Sequence, residues 1–584
     1  MVRFAGAALL ATGVSLSGPV SYAADQAGAA WNKLADQYFD TVYFPYQPTN
    51  GTLAGFHQYD AQLERYDRDS IAKQTAALHV FERRVSAFPQ NGLDQWTTGD
   101  RQLVLNNIHT TLLTLETIKP WENNPDYYST DITGSAFSLM ERKFAPPEDR
   151  LRSLIARERQ MPAALSAARQ NLRDCPKIYT EIALEQLPGD IEFFRHDVPS
   201  AFSDVKDQKL LAEFKSSNTA VIDALSSYES WIKSDLLPRS NGDFRIGKDT
   251  FALKLLYDEM VTTPLDQLLQ IGYADLHKNR AAFNALAHEV DPGKTPPQVL
   301  LMLGEDHPAP DQLLAGFRDT FNGLIGFIRE KHIVTIPSDV RPTLEETPPF
   351  MRATTQASMD TPGPFETHST TAYFNVTLPE KSWSAERTGN YMHGFNRGTI
   401  VSTSVHEAYP GHYVQFLVLP EVHSKVRKLL GAATDVEGWA HYCEQMMLDE
   451  GYGQPGAGAK DAREAKLIRL GQLQDALLRD SRFIVGIQIH TGNMTLDQAR
   501  EFFVNEGYQS REIANVETKR GTSDPTYLYY TLGKLEILKL RADLEKKEGP
   551  SFSLQKFHDA FLRQGFPPIA IIRRAMLGND SPAL

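Results

Sequence analysis

The sequence has few cysteines and no long apolar run beyond its first residues. Only Cys175 and Cys443 occur among 584 residues, so disulfides cannot be a main source of stability. A chain of this length buries a core large enough to fold without them, and two buried thiols are expected. Mean hydropathy is −0.37, and no later stretch offers the roughly 20 apolar residues that span a bilayer. A disulfide scaffold and an integral membrane protein are both excluded.

Signatures of several enzyme classes are also missing. The chain has no Gly-rich phosphate loop, no Gly-x-Ser-x-Gly motif and no Cys-x-x-Cys pair. Nucleotide, serine-hydrolase and thiol-redox chemistry therefore lack support. The balance of 60 Lys and Arg against 73 Asp and Glu gives a net charge of −13. Nucleic acid is not an expected partner, because binding a polyanion requires clustered cations.

The first 23 residues differ in character from the rest. A positive charge near the start precedes an apolar run over 4–16, and the small residues Ser21 and Ala23 follow. This order predicts a cleavable signal peptide over 1–23 and a mature chain that begins at residue 24 or 25. We therefore expect an exported protein, periplasmic or secreted, without integral membrane association after cleavage. No cysteine lies near the predicted cleavage position, so lipid attachment there is not predicted.

Helical periodicity dominates the remaining chain. Apolar residues recur three and four positions apart, between Pro and Gly breaks, in segments 149–172, 207–235, 264–290 and 310–332. We predict a mainly α protein, a large helical body with a small β element and a metal site between helices. A helical N-terminal part over 24–335 would be followed by a helical part over 336–584 that carries the chemistry.

Sequence typical of strands is scarce. Segment 370–377 combines β-branched and aromatic residues and predicts a short strand. That strand is either structural or an edge strand that pairs with an extended peptide. Segment 337–364 is rich in Pro and Thr and predicts an irregular connection.

The most specific motif is a His-Glu pair followed by a second histidine. His406 and Glu407 precede Ala-Tyr-Pro-Gly and then His412, within a helix-prone stretch over 398–419. In zincins two imidazoles on one helix bind zinc, and the Glu beside the first polarises a water. Histidines six apart on a regular helix point about 240° apart and cannot share one metal. The Pro-Gly pair between them predicts a bulge that restores convergence.

A second segment supplies further ligating side chains. Glu437, His441 and Glu444 share one face of an otherwise apolar predicted helix. Burying three ionisable groups is costly unless they are paired or bind metal, and the alternative is a solvated face. Zinc hydrolases commonly use two His and one carboxylate, so we predict His406, His412 and Glu437 as the ligands. His441 and Glu444 are expected to hydrogen-bond these ligands or, as the weaker alternative, to ligate the metal.

A third segment, 520–541, carries a candidate oxyanion donor. In the helix predicted after an Asp-Pro start, one face carries Tyr527, Tyr530, Lys534 and Arg541. Peptide hydrolysis by an activated water needs a donor aimed at the developing oxyanion, and Tyr530 is our candidate. A phenol packed at a helix interface is an equally good interpretation. Arg520, Tyr527 and Arg541 are weaker candidates for substrate binding, and for Arg541 pairing with an acidic neighbour is the favoured interpretation.

These motifs resemble those of one family. His-Glu-x-x-Pro-Gly-His at 406–412 and Glu-Gly-Trp-Ala-x-Tyr-x-Glu at 437–444 are similar to the motifs of the bacterial DUF885 family. Further matches lie at 51–60, 530–533, Arg541 and 565–567. The resemblance implies one continuous domain from about 30 to 580, mostly helical, metallopeptidase-like and distantly similar to gluzincin peptidases. The family has no assigned function and commonly has an apolar residue where this chain has His441.

Together the motifs predict a zinc peptidase with one Zn²⁺ per chain. Glu407 would act as general base for a metal-bound water, and Tyr530 would stabilise the oxyanion. By analogy with helical gluzincins, the N-terminal part would wall a channel that favours short peptides. One alternative is a zinc amidase acting on cell-wall peptides, which would accept D-amino acids. Another is a non-catalytic metal- or peptide-binding protein.

Overall fold

Helices form most of the protein, as predicted. The computed structural model describes residues 19–347, 352 and 355–584, with side chains from residue 27 onward. Residues 1–18 of the predicted signal peptide lie outside the described residues. Its last five residues, 19–23, form the start of the first helix. In the part of the chain that the structure describes, no helix combines the length and apolar character that a membrane crossing requires.

The N-terminal part is a layered assembly of helices, several of which continue into π-helical turns. In chain order the α-helices are α1 (Pro19–Tyr38), α2 (Phe44–Tyr46), α3 (Pro48–Ala54), α4 (Arg68–Ser86), α5 (Gln95–Leu113), α6 (Pro120–Asn123), α7 (Asp126–Met140), α8 (Pro147–Glu158), α9 (Met161–Asn171), α10 (Lys177–Glu192), α11 (Val198–Ala201), α12 (Gln208–Trp231), α13 (Gly247–Glu259), α14 (Leu265–Val290), α15 (Pro296–Gly304) and α16 (Leu313–Glu330).

Three of the four predicted helical segments are confirmed as single helices. Segment 264–290 is α14, segment 207–235 is α12 with its π-helical extension, and segment 310–332 is a 3-10 turn followed by α16. The sequence predicts one helix over 149–172, but the structure has two, α8 and α9. Pro162 explains the break, because it lacks an N–H and is accommodated in the first turn of a new helix.

The C-terminal part contains the helices that carry the sequence motifs. They are α17 (Ala385–Met392), α18 (Arg397–Glu407), α19 (His412–Val418), α20 (Lys425–Leu429), α21 (Ala433–Asp449), α22 (Ala462–His490), α23 (Leu496–Asn505), α24 (Arg511–Ser523), α25 (Tyr529–Glu548), α26 (Leu554–Leu562) and α27 (Ile569–Leu577). Helix α21 packs along α25, α18 lies against both α21 and α22, and α14 packs along α22. The motif helices thus meet at the centre of this part.

A three-stranded sheet opens the C-terminal part of the chain. Its strands are β1 (Thr343–Glu346), β2 (Ala357–Asp360) and β3 (Tyr373–Val376), and β3 is central, parallel to β1 and antiparallel to β2. The strand predicted within 370–377 is confirmed as β3, but both its edges are paired, so the edge-strand interpretation is wrong. The irregular connection predicted over 337–364 is also wrong where it contains β1 and β2. A minimal pair, β4 (Gln454–Pro455) and β5 (Gly458–Ala459), completes the strands described.

The largest apolar core holds the backs of the motif helices. Phe317 and Phe321 of α16 pack on Phe374 of β3, and Tyr409 packs on Phe321. Trp439 of α21 belongs to the same core and donates through Nε1 to the carbonyl oxygen of Pro410, 3.0 Å away. The apolar residues between the ionisable positions of α18 and α21 therefore fix which way those ionisable side chains point.

Two motif glycines let α21 and α25 touch through their backbones. A Cβ on Gly438 would lie 2.6 Å from Cα of Gly533, and a Cβ on Gly533 would lie 2.0 Å from the carbonyl oxygen of Thr434. Real Cβ atoms do not approach backbone atoms so closely. The Gly-Trp-Ala and Tyr-Thr-Leu-Gly motifs thus contain glycine because two helices cross there without side chains between them.

We expect Gly533→Ala to lower the free energy of unfolding by about 1–3 kcal/mol, because the neighbouring atoms belong to backbone and cannot rotate away. Urea denaturation followed by circular dichroism measures the change. Gly326→Ala in α16 is the matched control, since a Cβ there meets nothing within 4 Å. That control should be neutral or stabilising by up to about 1 kcal/mol. Equal stability of the two variants would contradict the close-crossing explanation.

Candidate metal centre

The two histidines of the first motif lie on two different helices. Helix α18 ends at Glu407, a cis Tyr409-Pro410 peptide follows, and α19 begins at His412. The sequence predicts a bulge within one helix, and the structure breaks the helix instead. The chain turns so tightly that a Cβ on Gly411 would lie 1.8 Å from the carbonyl oxygen of His406. The turn brings the two imidazole rings to 4.8 Å between centroids, at an interplanar angle of 85°.

Three side chains converge on one point. Single ligand atoms of His406, His412 and Glu437 lie within 4.8 Å of one another. Glu437 Oε2 is 3.4 Å from Nε2 of His406 and 3.5 Å from Nε2 of His412. Tetrahedral ligand bonds of about 2.0–2.1 Å place ligand atoms roughly 3.4 Å apart, so these separations fit a zinc ion. Glu437 Oε2 is also buried without an aligned hydrogen-bond donor, which a cation would satisfy.

The electrostatics of this cluster favour positive charge at its centre. Burial lowers the pKa of His406, but its contacts with Glu437 and Glu444 outweigh burial and raise the pKa to about 9. Burial raises the pKa of Glu437, but the two imidazoles hold it well below its usual value. The carboxylates therefore remain ionised and attract a cation, either a proton or a metal ion.

Glu444 is the hub that orients the first histidine. Its Oε1 accepts from Nδ1 of His406 at 2.6 Å and from Arg479 Nη2 at 3.0 Å. Its Oε2 lies 3.3 Å from the hydroxyl of Ser402 and 3.4 Å from Nδ1 of His441. Burial raises the pKa of Glu444, but Arg479, His441 and His406 hold it well below normal. An ionised Glu444 holds a proton of His406 on Nδ1, so Nε2, which faces the cluster, is the nitrogen that would exchange its proton for a metal ion.

His441 stands behind Glu444 and does not join the converging ligand atoms. It is fully buried, and its Nε2 has no hydrogen-bond partner among the described residues. Burial, reinforced by the charge of Lys534, lowers its pKa to about 3, so the ring is neutral. Of the two predicted roles, contact with a group that holds a ligand fits, and direct ligation does not. The solvated-face interpretation of this stripe is wrong, because His441 and Glu444 are at most 1% exposed.

His412 has a looser support than His406. Its Nδ1 lies 3.5 Å from Oε1 of Gln415, one turn further along α19. Gln415 in turn donates through Nε2 to Asp435 at 3.1 Å. A neutral amide replaces the ionised carboxylate that holds His406, so the two imidazoles differ in how firmly they are oriented.

Glu407 ends α18 beside the cluster and is half-buried. Its carboxylate has no hydrogen-bond or salt-bridge partner among the described residues, whereas Glu444 accepts a hydrogen bond from His406 and Glu437 lies within salt-bridge distance of both site histidines. Burial raises its pKa, and the charges of the two site histidines only partly oppose this shift. A free carboxylate with a raised pKa is suited to accepting and returning a proton.

Tyr530 lies beside the cluster, next to His406. Its ring stacks near the His406 imidazole, with centroids 6.4 Å apart at 30°. The hydroxyl oxygen accepts from Arg520 Nη2 at 3.2 Å, and its own proton has no acceptor among the described residues. Burial raises the pKa of Tyr530, so the phenol stays protonated. It is therefore an available donor, as an oxyanion-binding group must be.

Arg479 and Arg482 of α22 are site residues that the sequence reasoning missed. Both are nearly buried, Arg479 against Glu444 and Arg482 in two 2.7 Å contacts with Glu517. The sequence signal for them is the spacing of Asp475, Arg479 and Arg482, which lie four and then three positions apart in α22. The same spacing marks the ionisable stripe on α21.

Tyr527 and Arg541 do not join the cluster. Helix α25 begins at Tyr529, so the shared face predicted for Tyr527 is wrong. Tyr527 packs instead in an apolar cluster that includes Phe503, and its hydroxyl has no partner in the described structure. Arg541 pairs with Glu450 at 2.8 Å and with Glu545 at 3.0 Å, as its favoured interpretation predicts.

The fold and the site together define a class of protein. Its members are mainly helical, and two histidines and one carboxylate converge beside a glutamate without a partner. The chain belongs to the family DUF885, described as "Bacterial protein of unknown function", whose profile matches residues 48–576. The family resemblance is thus confirmed over most of the chain. No curated protein matches the sequence.

Two solved structures share this fold. One is a candidate lipoprotein of unknown function from Shewanella oneidensis, 27% identical, with a TM-score of 0.78 over 94% of this chain and 99% of that one. The other is a candidate lipoprotein from Colwellia psychrerythraea, 17% identical, with a TM-score of 0.76 over 95% and 99%. The second shows likeness of fold alone.

Proposed function

We propose that the protein is an exported metal-dependent hydrolase, a peptidase that cleaves short peptides. The observation that carries the proposal is the convergence of His406, His412 and Glu437 beside the unpaired carboxylate of Glu407. Two imidazoles, one carboxylate and an adjacent base are the groups that zinc peptidases bring together.

His406, His412 and Glu437 would hold the ion, and two imidazoles with one carboxylate suit zinc among the common divalent metals. A bound zinc ion supplies Lewis acidity and lowers the pKa of a water molecule towards neutrality. Glu444 keeps His406 in the tautomer that ligation requires.

The remaining chemistry is assigned to side chains of this chain. Glu407 accepts the proton of the attacking water and returns it to the leaving amine, for which its raised pKa is favourable. Tyr530 donates its free hydroxyl proton to the oxygen of the scissile carbonyl as negative charge develops there. Arg520, by donating to that hydroxyl oxygen, fixes where the proton points.

Export of the protein is supported by two observations. The signal-like order of residues 1–23 is one, and the description of both structural neighbours as candidate lipoproteins is the other. Location in the periplasm or the medium is part of the proposal. Amino-terminal sequencing of the protein recovered outside the cytoplasm tests it, and a mature start at residue 24 or 25 is expected.

We expect His406→Ala and His412→Ala to lower zinc affinity to a similar extent. Each removes a ligand, and the loss should exceed the roughly 10–100-fold that follows when a hydrogen-bond partner of a ligand is removed. Zinc content by mass spectrometry and competition with a chromogenic chelator measure the effect. His423→Ala, at an exposed histidine outside the site, is the control. Normal zinc content in His412→Ala would show that this residue is not a ligand.

The peptidase proposal itself is tested by digestion of a peptide library with the zinc-loaded protein and mass-spectrometric detection. Cleavage that stops on chelation and returns with zinc is the expected result. Cleavage restricted to peptides containing D-amino acids would favour the cell-wall amidase. Stoichiometric zinc with no cleavage of any peptide would make the protein a non-catalytic binder.

A further inference from the structure

Three guanidinium groups surround the ring of Tyr530. The guanidinium carbons of Arg479, Arg482 and Arg520 lie 5.6, 4.9 and 5.7 Å from its ring centroid. Each of these positive charges must be balanced by a protein carboxylate or remain available beside the candidate catalytic site. A cation that the protein itself does not balance is available to a ligand.

Two of these cations are paired with buried protein carboxylates. Arg479 contacts Glu444 at 3.0 Å, and Arg482 binds both oxygens of Glu517 at 2.7 Å each. Their side chains are 11% and 9% exposed. Neither can reach a ligand without breaking a buried ion pair, which is costly.

Arg520 of α24 is different on each count. Its side chain is 35% exposed, and its contact with Asp524 is a single one of 3.4 Å. The same oxygen of Asp524 already accepts from Tyr529 at 2.8 Å. All contacts of Arg520 use Nη2, while Nε and Nη1 have no acceptor among the described residues. A guanidinium has five N–H donors, so most of the donors of Arg520 remain free.

We infer that Arg520 binds the C-terminal carboxylate of the substrate, which makes the protein a carboxypeptidase that releases one or two residues. This inference rests on the proposed function and names its substrate class. A planar guanidinium with free adjacent N–H groups matches a carboxylate in two parallel hydrogen bonds.

The geometry sets the distance between the bound carboxylate and the bond that is cleaved. Arg520 Nη2 lies 3.2 Å from the Tyr530 hydroxyl, which would contact the scissile carbonyl oxygen. An extended peptide advances about 3.3–3.6 Å per residue. A carboxylate on the free side of the guanidinium therefore lies within one or two residues of the scissile bond.

Peptide binding tests the inference without relying on turnover. The zinc-loaded Glu407→Gln protein, which should bind but not cleave, is titrated by calorimetry with N-acetyl-trialanine and with its C-terminal amide. We expect the acid to bind at least about tenfold more tightly, the scale of one hydrogen bond to a charged group. Adding Arg520→Gln should remove this preference, so that the acid loses affinity and then binds no more tightly than the amide. Lys519→Gln is the control, because Lys519 is the neighbouring cation on α24 and pairs with Glu185 at the surface.

Several outcomes would overturn the inference. These are equal binding of acid and amide, no binding of either, or an equal loss for both in Arg520→Gln, which would mean that Arg520 only positions Tyr530. A third peptide, N-acetyl-Ala-Ala-Glu amide, carries its only carboxylate on a side chain. Arg520-dependent binding of this peptide as tight as that of the acid would overturn the C-terminal assignment in favour of acidic side chains.

Parallel assays on the wild-type zinc-loaded protein separate this inference from the proposed function. Equal cleavage of acid and amide peptides would contradict the carboxypeptidase inference but agree with the peptidase proposal. Tight, Arg520-dependent binding of the acid with no cleavage of any peptide would contradict the peptidase proposal. It would still support recognition of the C-terminal carboxylate by Arg520.

Discussion

Glu407→Gln is expected to lower kcat/KM for peptide cleavage by about 10²–10⁴-fold while zinc content stays at the wild-type level. The amide keeps the size and polarity of the carboxylate but cannot accept the proton of an attacking water. Zinc retention is expected because Glu407 is not among the three converging ligand atoms. Initial rates on a cleaved library peptide, together with zinc analysis of the same sample, measure both quantities.

Glu421→Gln is the matched control for that substitution. Glu421 is an exposed carboxylate whose nearest cation, Arg563, is 3.9 Å away, and its loss should leave the rate unchanged. Full activity of Glu407→Gln would remove the general base from the mechanism. Loss of zinc in the same variant would instead mean that Glu407 belongs to the ligand set.

Glu444→Ala should produce the largest combined effect on stability and metal binding. Without the carboxylate, Arg479 loses its one salt bridge to the described residues and becomes an unbalanced buried cation, and Nδ1 of His406 loses its acceptor. Removing one member of a buried ion pair costs roughly 3–5 kcal/mol, and losing a hydrogen-bond partner of a ligand weakens metal binding about 10–100-fold. Urea denaturation of the metal-free protein and zinc competition measure the two effects separately.

Two further variants sharpen this test. Glu545→Ala removes an exposed carboxylate paired with Arg541 and should cost no more than about 1 kcal/mol. Glu444→Gln retains an acceptor for His406 but not the charge that balances Arg479, so it should lose more stability than metal affinity. Wild-type stability and zinc affinity in Glu444→Ala would refute the role of Glu444 as the hub of the site.

The residues of the candidate site were largely predictable because ionisable groups are rarely buried without a purpose. Glu437, His441 and Glu444 interrupt an apolar helix at one-face spacing, and that pattern alone placed them together. The arginines of α22 follow the same pattern but stand among many charged residues in a long helix. Which of its faces would be buried depends on α14, α18 and α25, and no local pattern contains that information.

The path of the chain between the histidines was predictable only in part. The spacing of His406 and His412 required a departure from regular helix, and Pro-Gly marked its position. Both a bulge and a break satisfy those requirements. The close approach of Gly411 to the carbonyl of His406, which accompanies the break, is seen only in the folded structure. For the same reason β1 and β2 escaped prediction, since short strands of weak propensity pair because β3 is placed beside them.

The backbone contact at Gly438 and Gly533 has a consequence for how substrate range can change. Glu437 adjoins one of these glycines and Tyr530 lies one helical turn before the other, so the proposed metal carboxylate and the proposed hydroxyl donor stand on two helices in backbone contact. Interdigitated side chains can change rotamer and repack around a new neighbour, but two backbones in direct contact cannot adjust in this way. Arg520 belongs to α24, which connects to α25 through the segment 524–528 and through the hydrogen bonds of Arg520 with Tyr529 and Tyr530. For the proposed carboxypeptidase, we therefore expect adaptation to new peptide ends to arise in α24, while the distance between the Glu437 carboxylate and the Tyr530 hydroxyl stays constant.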